Sequence, residues 1–563
     1  MNILEKQNKK VFLLGNEAIV RGALEAGVQF VSTYPGTPAS EIGNNFYKIS
    51  NQQSAISNQL YFEFSTNEKV AIEAGGGASF CGLRSLVAMK NFGLNVASDF
   101  LLPLVYSGTK GGMVIISADD PSCHSSAQSE ENTRAFAYLA HIPILEPSTP
   151  QECKDFVKFA FDLSEKFQIP VMIRETTRVA HQSAPVVLGR IKSTRPGLVA
   201  GKFIKDHKKF VTMPPRVLEM HKELLEKIEE IREFSEKSEI NKTDRERVSA
   251  NLGIITSGVS YLYVKEALKE LNLALPILKL GFFHPLPEKK IKNFIKDLNK
   301  VLIVEELEPF LEKEVERLAR DTNPNLKIYG KDLLPEVGEL KPEIVTQALA
   351  KFTNKKHPIS NIQYPTSIPK RHPQLCPGCP YWLVFGGVKK ALRQGSGQAA
   401  KDVIFGGDIG CYMLAGLSPH NIQDYLYCMG SSIGIAHGIK KTLQQNSGQN
   451  SKQKLITFIG DSTFFHSGIP ALINTVYNQS NPLIIIMDNQ TTAMTGHQPH
   501  PGIKTNDRPT VKIEDIVRAC GVKNLKIIDP VKQEEFIKTI RQFLDKKDVS
   551  VIIARHPCKF VKT

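Results

Sequence analysis

Two short elements of this 563-residue sequence carry hard oxygen ligands in a setting suited to phosphate. Gly460-Asp461-Ser462 follows the apolar run Leu455–Ile459. Asn489 stands 28 residues after that aspartate, behind the run Leu483–Met487. With a helix expected over about Ile469–Tyr477, the segment reads as one strand–helix–strand unit. Both elements then sit at the carboxyl ends of neighbouring parallel strands, the edge at which open α/β sheets bind ligands. Asp461 and Asn489 are oxygen ligands of the kind Mg2+ takes when bound with a diphosphate, and the backbone carbonyl of Thr491 completes the chain's share. Gly460 lets the backbone approach closely. Alone, Gly-Asp-Ser is also an ordinary strand-to-helix turn with a capping aspartate; the spacing and the strands favour the metal reading.

The second group is the cysteines. Nine in 563 residues is an odd number and too sparse for a disulfide scaffold. Cys376-Pro377-Gly378-Cys379 is a knuckle that fits zinc, iron–sulfur or redox chemistry equally. Cys411 follows the run Val403–Phe405 and Cys558 follows Val551–Ala554, so both could converge at one sheet edge. Cys428 is a substitute ligand, while Cys81, Cys123, Cys153 and Cys520 read as small core residues. His466, His497 and His500 lie beside the diphosphate motif as proton donors or substrate contacts, or as loop ties. His124, after a strand end, is a further candidate.

Buried strands alternating with helices position these groups, which implies parallel α/β sheets. From Val11 to about His181 the expected strands are Val11–Leu14, Phe30–Ser32, Ser85–Met89, Met113–Ser117 and Val171–Ile173. Residues 201–247 hold 12 Lys/Arg and 11 Asp/Glu, with apolar residues at helical spacing over Val217–Phe234, and read as a solvated helical connector. A smaller α/β pattern follows over 249–352, then a loop with Pro358, Pro365 and Pro369, then a last α/β segment with polar loops at Arg393–Lys401 and Gln444–Lys454. An apolar fraction of 41% with 23% charged excludes disorder, collagen and a coiled-coil rod. The net charge of +14 raises nucleic acid as a partner, but no compact basic motif with interleaved aromatics supports it. A polar N-terminus and the lack of any run of about 18 apolar residues argue against membrane insertion and for the cytoplasm.

The Gly-Asp-x…Asn pattern resembles thiamine diphosphate enzymes, whose signature ends Gly-Asp-Gly and Asn-Asn; Ser462 and Asp488 are departures that leave the metal ligands in place. That resemblance implies a carboxylate from another domain that hydrogen-bonds the aminopyrimidine. Glu68 in Ser65-Thr66-Asn67-Glu68-Lys69 is the candidate, with Glu63 and Glu73 as alternatives. Gly430 and Ser431 join Gly460, Asp461, Ser462, Asn489 and Thr491 as cofactor contacts. Tyr34-Pro35-Gly36-Thr37-Pro38 resembles the substrate-contacting Tyr-Pro-x-Thr-Pro loop of 2-oxoacid:ferredoxin oxidoreductases. The order of Cys376, Cys379, Cys411 and Cys558 resembles the ligand order of the single 4Fe–4S cluster near the thiamine in those enzymes. Blocks such as Asn67–Ala71, Gly93–Val96, Glu175–Val179, Glu305–Pro309, Val337–Leu340, Gly460–Pro470 and Thr492–Gly502 are similar to the alpha subunits of indolepyruvate:ferredoxin oxidoreductases across about 10 to 560.

The resemblance implies an α/β fold with two doubly wound, thiamine diphosphate-binding parallel-sheet domains (1–200 and 370–563). A charged connector (201–248) and a transketolase C-terminal-like α/β domain (249–355) lie between them. It implies oxidative decarboxylation of aryl 2-oxoacids such as indolepyruvate and phenylpyruvate to acyl-coenzyme A. Electrons pass to ferredoxin, and a smaller beta subunit joins in a heterotetramer. Another 2-oxoacid:ferredoxin oxidoreductase, or a non-oxidative thiamine decarboxylase or carboligase, is the alternative. Such alpha subunits usually end in a ferredoxin-like domain, whereas this sequence stops at Thr563, five residues after Cys558. Either a separate ferredoxin takes electrons directly, another chain relays them, or the sequence is truncated. Residues 501–563 carry 14 Lys/Arg against 8 Asp/Glu, a surface suited to an acidic electron acceptor.

Overall fold

A computed structural model describes residues 2–52, 59–191, 201–244, 251–356, 373–393, 402–447, 453–505 and 508–561. The three prolines of the expected boundary loop, and much of the two expected polar loops, lie outside these. The chain divides into two compact units, Met1–Ile362 and Gln363–Thr563.

Unit 1 is built on a seven-stranded sheet. Edge to edge it runs Phe282–His284, Ile144–Leu145, Val171–Thr176, Met113–Asp119, Ser85–Lys90, Phe30–Thr33 and Tyr61–Phe64. All neighbours are parallel except the first pair, where Phe282–His284 lies antiparallel on Ile144–Leu145. The central strands are buried along their whole length, as strands covered by helices on both faces must be. A second sheet orders Lys327–Tyr329, Lys300–Val304, Leu252–Ser257, Ile277–Leu280 and Lys242–Asp244, the last antiparallel. The strand Phe282–His284 comes from this later part of the chain yet completes the first sheet.

Two expectations need correction. The run Val11–Leu14 is not a strand of the parallel sheet: Lys10–Leu14 pairs antiparallel with Ser183–Val187 in a separate two-stranded ribbon. Its side chains alternate, Leu13 wholly buried and Phe12 66% exposed, so a four-residue apolar run here marks a half-buried ribbon. The charged connector is not wholly solvated either. Helix Arg216–Glu236 buries Met220, Leu224, Ile228, Ile231 and Ser235 along one stripe, and Phe234 packs on Phe159 and Phe167. Three- and four-residue steps between these positions are the helical period that makes one face apolar while the charges take the other.

Unit 2 holds a five-stranded, all-parallel sheet ordered Val403–Gly406, Lys454–Gly460, Leu483–Asp488, Ser550–Arg555 and Asn524–Ile528. Alternate residues enter two cores: Leu483, Ile485 and Met487 one, Ile484 and Ile486 the other. A period of two with both faces buried is the mark of a doubly wound sheet. Among the described residues no helix is long and apolar enough to cross a membrane.

Candidate active site

The carboxyl ends of four adjacent strands of unit 2 deliver most of the expected site residues. Gly406 leads into Asp408 and Cys411, Gly460 into Asp461, Asp488 into Asn489, and Arg555 into Cys558. Register sets the alignment: Gly460 lies opposite Met487, and Asp488 opposite Arg555. Asp461 is buried; Oδ1 accepts the Ser462 amide at 2.8 Å and Oδ2 the Gln490 amide at 2.9 Å. Asn489 Oδ1 accepts the Thr491 amide at 3.2 Å, and the Thr491 carbonyl accepts that of Ala493 at 3.0 Å. Asp461, Asn489 and Thr491 are therefore brought together on two neighbouring turns. A Cβ on Gly460 would lie 2.8 Å from the Tyr412 ring.

The histidines separate. His500 Nε2 is 3.0 Å from Asp461 Oδ2, yet the ring is out of line for a hydrogen bond and Nε2 is buried without such a partner. Its Nδ1 accepts the Gly502 amide at 3.1 Å, which leaves the neutral ring's proton on Nε2. A buried, unsatisfied N–H beside a carboxylate is the kind of orphan a bound group at Asp461 would complete. His466 sits in a π-helical turn, Phe464–Gly468, between Asp461–Thr463 and helix Ile469–Tyr477. Such turns recur at functional sites. Its Nδ1 is 2.7 Å from Ser467 Oγ, whose proton goes to Met429 O, so Nδ1 carries hydrogen. His497 is exposed, edge-on to Phe560.

Sequence reasoning missed Asp408. It is fully buried, accepts the amides of Ile409, Gly430 and Ser432 at 2.7, 2.7 and 2.9 Å, and burial pushes its carboxyl up to about 6. It thereby fastens Gly430-Ser431, at the start of helix Ser431–Ser447, to the loop carrying Cys411. The signal was available: Gly407-Asp408 after a strand repeats the pattern of Gly460-Asp461.

Cys376–Cys379 forms a tight turn closed by the Cys379 amide on Cys376 O at 3.0 Å. Gly378 takes φ +76° behind Pro377, as a type II turn requires. Lys559 Nζ donates to Pro377 O, and the Cys558 amide to Asn489 O at 2.9 Å, tying the last segment to both the knuckle and the Asn489 turn. Burial raises the Cys411 thiol to about 12, with further pushes from Cys379, Cys558 and Cys376. Burial likewise raises Cys379 to about 11, helped by Cys558 and Cys376. Cys411 and Cys379 are thus raised in part by the other cysteines of the set, while Cys428 is exposed and plays no part in these shifts. Of the other four cysteines, only Cys153 is buried. Among the described residues no three His, Cys, Asp or Glu side chains close on one point as a preformed single-ion site would need.

Unit 1 presents its own carboxyl edge. Glu68 opens helix Glu68–Phe80, capped by Asn67 Oδ1 on the Val70 amide at 2.9 Å. It is buried, while Glu73 is 41% exposed beside Lys69 and Glu63 is engaged by Tyr61 and Ser65 hydroxyls. A Cβ on Gly93 would lie 2.5 Å from Glu68 Cγ, so glycine there makes room for the acid. Thr37 lies in a loop tethered by Asn16 Nδ2 on Pro38 O at 2.7 Å; its hydroxyl is 3.5 Å from Ser40 Oγ. His124 Nε2 is 3.4 Å from Glu339, which Arg178 holds with two bonds of 2.8 and 2.9 Å. Asp120, unmarked in the sequence, and Lys90, marked there only as part of the similar block Met89-Lys90, occupy the same edge.

Three family models match: "Pyruvate flavodoxin/ferredoxin oxidoreductase, thiamine diP-bdg" at 21–239, "Indolepyruvate oxidoreductase domain" at 242–360, and "Thiamine pyrophosphate enzyme, C-terminal TPP binding domain" at 408–554. The indolepyruvate oxidoreductase subunit IorA of Methanothermobacter marburgensis is 43% identical over 98% of this chain and 87% of its own length. That of Pyrococcus horikoshii is 42% identical over 98% and 86%. The 2-oxoglutarate synthase subunit KorA of Archaeoglobus fulgidus is 25% identical over 57% of this chain. A solved 2-oxoglutarate:ferredoxin oxidoreductase from Magnetococcus marinus aligns at 19% identity and a TM-score of 0.49 over 61% of this chain and 65% of its own, too loose a likeness to add to the case. With the edge geometry of both sheets, these matches make the chain a member of the IorA family of thiamine diphosphate-dependent 2-oxoacid oxidoreductases.

Proposed function

We propose that this enzyme oxidatively decarboxylates aryl 2-oxoacids, indolepyruvate and phenylpyruvate among them, to acyl-coenzyme A with ferredoxin as electron acceptor. It works with a smaller beta subunit in a heterotetramer of two alpha and two beta chains. The observation that carries this reading is the convergence of Asp461, Asn489 and the cysteines Cys411 and Cys558 at one sheet edge. Bound thiamine diphosphate supplies an electron sink for loss of CO2. Asp461 and Asn489 side chains and the Thr491 carbonyl hold its Mg2+, which needs few protein oxygens because water and diphosphate fill the rest. Glu68 hydrogen-bonds the aminopyrimidine, Thr37 meets the substrate, and His466, His497 and His500 serve protons at the unit 2 edge.

Cys376, Cys379, Cys411 and Cys558 hold one 4Fe–4S cluster. Zinc with 2.3 Å bonds needs thiolates ~3.8 Å apart, whereas a cubane binds each to a separate iron and spaces them more widely. The placement of Cys411 and Cys558 at the ends of strands of one sheet supports the cluster.

The test is anaerobic turnover of indolepyruvate, phenylpyruvate, pyruvate and 2-oxoglutarate with coenzyme A and a viologen, with and without the beta subunit. Viologen reduction fastest with the aryl substrates is expected. Release of aldehyde without viologen reduction would place the enzyme among non-oxidative decarboxylases. Absorbance near about 400 nm bleached by dithionite reports the cluster. A colourless anaerobic preparation with one zinc overturns it.

A further inference from the structure

A buried ammonium stands at the unit 1 edge among the groups just assigned. Lys90 ends strand Ser85–Lys90 and precedes helix Asn91–Ser107. Its side chain runs under the Tyr34–Pro38 loop: a Cβ on Gly36 would lie 2.8 Å from Lys90 Cβ, so only glycine lets the loop close on the lysine. Nζ donates to Ser125 O at 3.0 Å, and Ser125 Oγ is 3.1 Å from Thr37 O. A single serine therefore separates the ammonium from the threonine assigned to the substrate. Three residues after Lys90, Gly93 seats Glu68.

The ammonium has one short contact, to Ser125 O; its others are longer, to Ser125 Oγ at 3.4 Å, Asp120 at 3.7 Å and the Phe92 ring at 5.2 Å. The nearest carboxylate, Asp120 at 3.7 Å, already accepts the Ser125 amide and the Ser125, Ser126 and Thr177 hydroxyls at 2.8, 2.9, 2.6 and 2.7 Å. An ammonium has three donors, and Ser125 accounts for one at good distance. Behind it, the N-terminus of a 17-residue helix favours an anion. Its first residue, Asn91, is wholly buried with neither carboxamide atom hydrogen-bonded.

We propose that Lys90 anchors the carboxylate of the 2-oxoacid, with the helix start at Asn91 behind it and Thr37 beside it. This rests on the 2-oxoacid reading above. The anchor fixes which end of the substrate faces the loop and so presents the keto carbon in one orientation.

Burial lowers Lys90 to about 8, against the opposing pull of Asp120, Cys123 and Glu131 from the facing segment; the Tyr34–Pro38 loop contributes no charge. The anchor is therefore charged at neutral pH and is lost as pH rises through about 8.

The test compares phenylacetate, an unreactive carboxylate, with the neutral phenylacetamide. Both are titrated by calorimetry into the holoenzyme and used as competitors of turnover, from about pH 6.5 to 9.5. A preference for the carboxylate of about tenfold or more at the lower pH, shrinking toward none above pH 9, is expected. Lys90→Met should remove the preference at every pH and raise the KM for phenylpyruvate about 10- to 100-fold with little change in kcat. Lys90→Arg should keep the preference and lose its pH dependence. A preference that persists to the highest pH in the unaltered enzyme, or survives in Lys90→Met, overturns the anchor; the first needs no variant to fold. Failure to turn over any 2-oxoacid overturns the reading beneath it, whereas turnover without a carboxylate preference overturns Lys90 alone.

Discussion

The two sheets present the same kind of edge and finish it differently. In unit 1, the acids at the strand ends, Glu175 apart, meet cations or hydroxyls. Arg174 pairs with Asp119 and Glu146, Arg134 with Glu146 and Glu305, Arg178 with Glu339, and Asp120 takes three hydroxyls and an amide. In unit 2, Asp408 and Asp461 are held chiefly by main-chain amides. Amides orient a carboxylate without cancelling its charge. Arg555 neutralises the neighbouring Asp488 and Glu514, not Asp461. An edge whose charge is cancelled suits organic substrates and acid–base work. One whose charge is kept, beside soft thiols, suits cations.

Glu68→Gln tests the unit 1 half most severely. Turnover should fall about 10²- to 10⁴-fold, the usual worth of a general acid–base group, with the melting temperature unchanged. Undiminished turnover would remove Glu68 from the chemistry. Arg134→Met attacks the cancellation itself. Glu305 would be left buried without its cation and Glu146 with Arg174 alone, at a cost of about 3–5 kcal/mol in denaturant unfolding followed by circular dichroism. Trp382, the single tryptophan, lies in unit 2, and its fluorescence transition should move less. A shift of equal size there would erase the contrast between the two units.

The last effect, at Glu175, vanishes at low pH. This residue is wholly buried, neither oxygen is hydrogen-bonded, and burial raises it to about 8. Because the folded value lies above the unfolded one, its stabilising proton is fully in place at low pH and is lost as pH rises through about 8. Glu175→Gln should match the unaltered protein below about pH 4.5 and outlast it increasingly up to about pH 8, then by a constant margin. Parallel melting curves across that range would show that Glu175 is ionised in the fold.

Long apolar runs were readable because burial on both faces leaves no other pattern. Met113–Asp119, Ser85–Lys90 and the Lys454–Asp488 segment are of this kind, and helix Ile469–Tyr477 falls where its period placed it. Short or edge strands were not: Ile144–Leu145 has two residues, and Tyr61–Phe64 and Asn524–Ile528 are exposed in part. At the sites, residues with motif spacing stood out, while Asp120 and Asp408 did not, and Lys90 stood out only as half of the similar block Met89-Lys90, with no role attached. Lys90 resembles any lysine until its strand ends under a glycine loop. Asp120 acquires meaning only when Ser125, Ser126 and Thr177 turn toward it.

The strand Phe282–His284 has a consequence for how the protein can be made. It covers the flank of Ile144–Leu145, which emerges from the ribosome some 140 residues earlier. Until that later stretch is synthesised, the first sheet exposes a ladder of unsatisfied amides and carbonyls, the kind of flank that recruits stray strands. A fragment ending near residue 200 would keep that flank open permanently. Excised on its own, the amino-terminal thiamine module should prove sticky, and solubility should return once the whole of Met1–Ile362 is included.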